Sequence, residues 1–394
     1  MRFLITVLLL IGVVTALFYF VILPIIQVEE PTDSVGVPDP PVKPDNNGNS
    51  DNPNGVQTVP TNGSTVNGTT NNTGYVDPSC EELKIPEPGP EMCEFEKNYP
   101  EKWNNPIDES EMLLVRAGTF TRGSNYVRNH GVEKPEMKIY VSSFYVDKHP
   151  IKYKQYRKFI DDGGYTTPEY WSQEGLIFKT SGKLTKPEYW DENMDNDNPV
   201  VGVSWYEAEA YCHWSGKKLL SEVQWEKAAR GYYGKKYPWG DKWIKDACNW
   251  KDIDPSGIYG YDKGMIDGSI ELAHVYRYDK YKSPFGALQM SGNVWEWVLD
   301  YWDTEYFKKT VANDIKLRKN PLNDQKNEAK PWRVIKGGSY DTEKEYCEPS
   351  WRNGNHPGRR PSTYGFRCCK RADLVYDDYL QSLVPDNSPD DDDK

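Results

Sequence analysis

Apolar positions fall into three regimes along this chain. Phe3–Ile26 is a run of 24 residues, apolar apart from Thr6 and Thr15. That exceeds a signal-peptide core of roughly 7–15 and suffices for a bilayer span of about 20. No small-x-small cleavage site follows it. Arg2 precedes the run and Glu29, Glu30 and Asp33 follow it, so the positive-inside rule puts the N-terminus in the cytoplasm and the remainder outside. The pattern predicts a transmembrane signal anchor over 1–27, with a cleaved signal as the alternative. Residues 28–79 are rich in Pro, Asn, Gly, Thr and Asp and nearly devoid of aromatics, so they cannot bury enough apolar surface to fold. They read as a disordered stalk, spanning roughly 40 Å if flexible. From about 108 to 372 the pattern becomes globular. Ser204–Glu207 and Ser221–Gln224 are both capping boxes. They predict helices running to about Gly216 and Arg230, and a third helix is expected over about 151–160. Elsewhere short strands alternate with long Gly/Pro/Asn loops.

Composition sharpens this picture. Aromatics make up 13% of the chain, with 14 tryptophans. Few regular elements and many large rings predict a loop-rich α+β domain held by aromatic packing and disulfides. The formal charge is −12, yet 373–394 alone holds eight acids and one Lys and is expected to be an acidic, disordered tail. No basic stripe occurs, which argues against nucleic acid as a partner. Asn62, Asn67 and Asn71 begin Asn-x-Ser/Thr sequons in the stalk and are candidate glycosylation sites. Seven cysteines in an exported chain should be mostly oxidised. Cys80 and Cys93 bracket a short Pro-rich loop, so a local disulfide is expected to staple the lead-in over 80–107.

A spread of motifs resembles the formylglycine-generating (sulfatase-modifying) enzyme family. They are Met112 to Phe120, Phe144 to Asp147, Pro199 to Trp205, Ala210 to Trp214, Trp225 to Gly231, Tyr237 to Gly240, Met290 to Trp297 and Gly337-Gly338-Ser339-Tyr340, closing on Gly365-Phe366-Arg367-Cys368. The resemblance covers 108–372 and implies a C-type-lectin-like α+β fold of low regular secondary structure. It also implies a disulfide between Cys212 and Cys368. Active relatives use two cysteines just after the Gly-Gly-Ser, with copper and oxygen, to oxidise a substrate cysteine. Here the second is Cys347 and the first position is Thr342. A hydroxyl is a hard ligand where a soft thiolate is required, so copper is not expected. Cys347 is left as a disulfide partner, an inert thiol or a redox ligand. The pairing of Cys248 and Cys369 stays open. The five histidines form no metal-type cluster in the sequence, which disfavours the iron-dependent relatives.

The resemblance further implies two structural calcium sites. One would use Asn249, the Trp250 carbonyl, Asp267 and the Ser269 carbonyl. The other would use Gln289, the Gly292 and Val294 carbonyls and Glu296. Oxygen donors in loops suit such a hard cation. Between Tyr340 and Tyr364 the chain mixes Tyr346, Trp351, Asn353, Asn355, His356 and Arg359 with Gly and Pro. Adaptable binding surfaces use such residues, and the frame resembles retroelement-diversified display proteins of this fold. The favoured reading is a membrane-anchored extracellular protein that binds a protein or glycan ligand and is not an enzyme. The rival is a formylglycine-generating-type oxidoreductase in which Cys347 works with Cys369 or Cys248.

Overall fold

In the computed structural model the chain divides into two units, residues 1–74 and 75–394. The structure describes residues 87–90, 94–126, 131–251 and 272–382, all in the second unit. The expected anchor, the whole stalk, the three sequons, Cys80, Cys93, Asp267 and Ser269 lie outside the described residues. Among those described, no helix is long and apolar enough to cross a membrane.

Three small sheets carry the domain. The first orders Gly89–Pro90 (β1), Gly118–Arg122 (β4) and Met137–Val141 (β5). The second has five strands: Lys102–Asn104 (β2), Glu111–Val115 (β3), Phe144–Asp147 (β6), Cys368–Arg371 (β12) and Lys218–Leu219 (β7), in that spatial order. The third orders Asn353–Asn355 (β10), Arg333–Lys336 (β9), Trp295–Tyr301 (β8) and Tyr364–Phe366 (β11). Pairing is antiparallel except between β11 and β8, where Tyr364 lies opposite Trp295. Because β2 pairs with β3, Trp103 opposite Met112, the domain begins earlier than the expected 108.

The two capping boxes open helices as the sequence predicts. Ser204 accepts from the Glu207 amide and Ser221 from the Gln224 amide. The helices are Trp205–Trp214 (α3) and Glu222–Arg230 (α4). The third expected helix is Tyr153–Asp161 (α1). A further helix, Gln173–Ser181 (α2), is capped by Ser172. The acidic tail departs from expectation: its first part is a helix, Ala372–Ser382 (α5). Its composition suggests disorder, but Ala372 and Val375 are buried, Tyr376 lies 5.2 Å from the Tyr99 ring, and Lys370 holds Asp378 at 2.7 Å.

Aromatic rings fill one core. Tyr156 and Tyr211 stack at 5.4 Å, with Phe159, Trp214 and Phe366 around them. The Cys212–Cys368 disulfide lies in this cluster, joining α3 to β12 across 156 residues, as the family resemblance implies. The second core packs Trp225 and Val223 of α4 against Phe120, Ile139, Phe144 and Val334. Between the sheets sit fully buried charges. Glu222 accepts from the Arg352 guanidinium at 2.5 and 2.9 Å, and Lys336 lies 3.7 Å from Glu222 and 3.6 Å from Glu226. Burial pushes the Glu222 carboxyl up, but Arg352, Lys336 and Arg122 outweigh burial and hold it down at about 2.

Candidate functional site

Strand β9 delivers the chain into Gly337 and Gly338, which adopt φ of 97° and 75°. A Cβ at Gly337 would lie 3.1 Å from the Trp225 ring, and one at Gly338 would lie 2.9 Å from the Tyr346 carbonyl. Glycine is therefore needed at both for conformation and for room. Ser339 follows, nearly fully buried, with an unpartnered hydroxyl. Thr342 closes the turn. Its hydroxyl accepts from the Ser339 amide at 2.8 Å and donates to the Ser339 carbonyl at 2.9 Å. Its own carbonyl accepts from the Lys251 amide at 2.9 Å. The residue replacing the family's first thiol is thus a structural part of the loop.

Among the described residues, Cys347 and Cys369 do not pair into a second dithiol. Cys347 is fully buried, its carbonyl accepting from the Ser291 hydroxyl at 2.7 Å. Cys347 and Cys369 are free thiols, and both they and Cys248 are buried. Cys369 lies in the second core, and burial pushes its thiol up to about 12, so it carries no thiolate at neutral pH.

Of the residues implied for calcium, Asn249, Gln289, Gly292 and Glu296 have protein partners. Asn249 packs into the loop before β8, where its carbonyl accepts from the Asn293 amide at 2.8 Å and its Nδ2 donates to Asn293 Oδ1 at 3.0 Å. Gly292 lies so close that a Cβ would sit 2.2 Å from the Asn249 carbonyl. Glu296 spends its carboxylate in the core. Oε2 accepts from Trp225 Nε1 and Arg367 Nε, and Oε1 from Arg367 Nη2, each at 2.7 Å. Gln289 Oε1 accepts from Asn293 Nδ2 at 2.7 Å, and the Gly292 carbonyl accepts from the Val294 amide. The second set is therefore a hydrogen-bonded turn whose carboxylate faces an arginine, a poor fit to a hard cation.

The predicted ligand surface is split by burial. Trp351 is only 9% exposed and belongs to the aromatic core, 4.5 Å from the Tyr346 ring. This corrects its expected place on an exposed surface. Tyr364 is also buried, its hydroxyl accepting from Asn355 Nδ2 at 2.8 Å. Tyr340, Tyr346, Asn353 and Asn355 are half-buried, while His356 and Arg359 are exposed. What remains is a rim of tyrosines and amides with one guanidinium.

One grouping escapes sequence reasoning. Asp195, Asp197 and His274 bring ligand-type atoms within 4.8 Å of one another. Asp195 meets His274 at 3.0 Å and Asp197 meets Lys154 at 3.1 Å, so both carboxylates already have partners. The 76 residues between Asp197 and His274 leave no local spacing to reveal the group.

These features define an α+β domain of the C-type-lectin-like kind, with the family's closing loop intact and its thiol pair broken. The profile of the sulfatase-modifying factor enzyme 1-like domain matches residues 98–372, and the chain belongs to that family. It is 30% identical over 267 residues to the serine/threonine-protein kinase pkn1 of Chlamydia pneumoniae, covering 66% of this chain and 38% of that protein. It is 28% identical over 297 residues to the formylglycine-generating enzyme of Bos taurus, covering 67% and 75%. In structure it resembles PvdO from Pseudomonas aeruginosa, with a TM-score of 0.50 at 19% identity over 70% of this chain and 99% of that one, a likeness of fold alone.

With Trp351 in the core, Trp351→Ala should remove about 3–5 kcal/mol of stability. Chemical denaturation checks this. A variant that unfolds at the wild-type midpoint would return Trp351 to the surface.

Proposed function

We propose that the chain is a membrane-anchored, exported binding module that has kept the family's scaffold and given up its oxidative chemistry. Thr342 carries this reading: its hydroxyl closes the Ser339 turn at 2.8 and 2.9 Å, where the oxidising relatives resembled here need a thiol. Two-coordinate Cu(I) takes a pair of soft sulfurs, and Cys347 alone cannot supply it. Cys369, with its thiol pushed up to about 12, is no substitute partner. The ligand would be an extracellular protein or glycan meeting the rim of Tyr340, Tyr346, Asn355, His356 and Arg359. Anchoring is supported by the 24-residue run Phe3–Ile26 and the acids that follow it.

Two experiments test this. The full chain with Cu(I) and oxygen should leave a Cys-x-Pro-x-Arg peptide unoxidised. Conversion that Cys347→Ser abolishes would make the protein an oxidoreductase. Protease added outside intact cells should remove the domain while the N-terminal segment stays in the membrane fraction. A domain that is protected there would contradict the topology.

A further inference from the structure

Helix α1 starts against the usual electrostatic rule. Its N-cap is Lys152, its second residue is Lys154, and its first turn holds no acid. Helix N-termini favour Ser, Thr, Asp or Asn at the cap and negative charge in the first turn, because the unpaired amides and the macrodipole make that end positive. Here two ammonium groups stand on it. Lys152 is also buried, at 9% exposure. Desolvated charge at the wrong end of a dipole is a local conflict of the kind that marks functional sites.

Nearby carboxylates do not resolve the conflict. Asp197 lies 3.1 Å from Lys154 but 3.9 Å from Lys152. Glu111 takes Lys148 at 2.7 Å and Lys102 at 2.9 Å. Glu109 takes Lys158 at 2.8 Å, and Asp147 takes the buried Lys217 at 2.9 Å. Each of these four has a nearer cation than Lys152. The nearest polar contact of the Lys152 ammonium is the Tyr276 hydroxyl at 3.0 Å. That bond uses the hydroxyl as acceptor and leaves its proton to donate elsewhere.

A cavity of about 290 Å³ opens at this point, lined by Lys148, His149, Lys152, Lys154 and Tyr276 together with the carboxylates of Glu109, Glu111 and Asp147, each of which is held by a cation of its own. His149 is nine-tenths buried, its Nε2 has no hydrogen-bond partner, and its ring stands edge-on to Tyr276 at 5.0 Å. Burial, then Lys152 and Lys148 beside it, push its pKa down to about 3, so the imidazole is uncharged and offers one N–H. A buried polar atom without a partner is costly unless something completes it. The unpartnered imidazole, the Lys152 ammonium with Asp197 no nearer than 3.9 Å, and the free hydroxyl proton all border one cavity.

We propose that this cavity binds a small oxyanion, a phosphate or carboxylate group, held by Lys152 Nζ, the Tyr276 hydroxyl and the His149 imidazole. Lys148 and Lys154 add long-range attraction through ammonium groups shared with Glu111 and Asp197. A bare phosphate leaves volume over, so the cavity takes a small organic phosphate or acid as well as the inorganic ion. The site is remote in sequence from the Thr342 loop and does not depend on whether the chain oxidises thiols.

The test is calorimetric titration and thermal melting of the full chain with inorganic phosphate and, in a second arm, acetate, each against sodium chloride of equal ionic strength. Phosphate, acetate or both should give saturable binding and a melting temperature that rises with ligand, since a ligand bound only by the native state stabilises it by mass action. A response to phosphate alone assigns the site to phosphorylated ligands, and a response to acetate alone assigns it to carboxylic acids. Lys152→Gln should weaken binding tenfold or more. Tyr276→Phe, at a residue 47% exposed and so safe for folding, should weaken it several-fold. If neither anion acts beyond the chloride control, or if both variants titrate like the wild type, the proposal is overturned.

Discussion

Arg367 and Glu296 face each other in the interior, and the rest of the domain is arranged around them. One guanidinium edge, through Nε and Nη2, meets both carboxylate oxygens at 2.7 Å. The remaining donors go to the carbonyls of Asp147, Lys148, Leu288 and Gln289, and the carboxylate also takes the Trp225 indole at 2.7 Å. One side chain thus ties the end of β6, the loop before β8, β8 itself and α4 to the closing segment. Such a pair adds little net stability over apolar residues of equal size, but removing one partner leaves a buried charge at a cost of about 3–5 kcal/mol. The next residue extends the latch. The Cys368 amide donates to Asp147 at 2.8 Å, and its sulfur is bridged to Cys212. Lys217 bonds Asp108 and Asp147 from below at 2.6 and 2.9 Å.

A domain with short strands has many backbone carbonyls that no ladder can satisfy, and every buried one needs a donor. Long cationic side chains supply them. Lys227 alone reaches the carbonyls of Arg116, Gly118 and Val141 at 2.8–3.0 Å, and Arg230 reaches those of Gly123, Gly234 and Lys235. This explains why so many lysines and arginines are buried in a chain that carries net negative charge.

Those buried cations also mark where sequence reasoning stops. Helices α3 and α4 were legible because capping is a four-residue signal and both boxes form as written. The Cys212–Cys368 bridge followed from the family resemblance, and so did the fold. Helix α2 escaped because Ser172 is followed at the third position by Gly175 rather than an acid or amide. Helix α5 escaped because acidic composition outweighed the spacing of Ala372, Val375, Tyr376 and Tyr379. Nothing in Glu222, Glu226, Lys336 or Arg352 distinguishes them locally from surface charges, yet all four are buried. In the site the sequence shows Thr342 at the position where the resemblance implies a thiol. That Thr342 replaces it with a closed turn needed the Ser339 contacts.

Family membership therefore carries the scaffold, and the site carries the chemistry. The Gly337-Gly338-Ser339 turn, the α4 helix beneath it and the latch at Arg367 can persist without the reaction, because none of them depends on the residue at 342 being sulfur. What that residue decides is whether a soft metal has two ligands. X-ray absorption of the full chain titrated with one equivalent of Cu(I) measures this most directly. The account predicts no two-coordinate sulfur signature and no difference between wild type and Cys347→Ser. A linear two-sulfur spectrum that Cys347→Ser removes would contradict it.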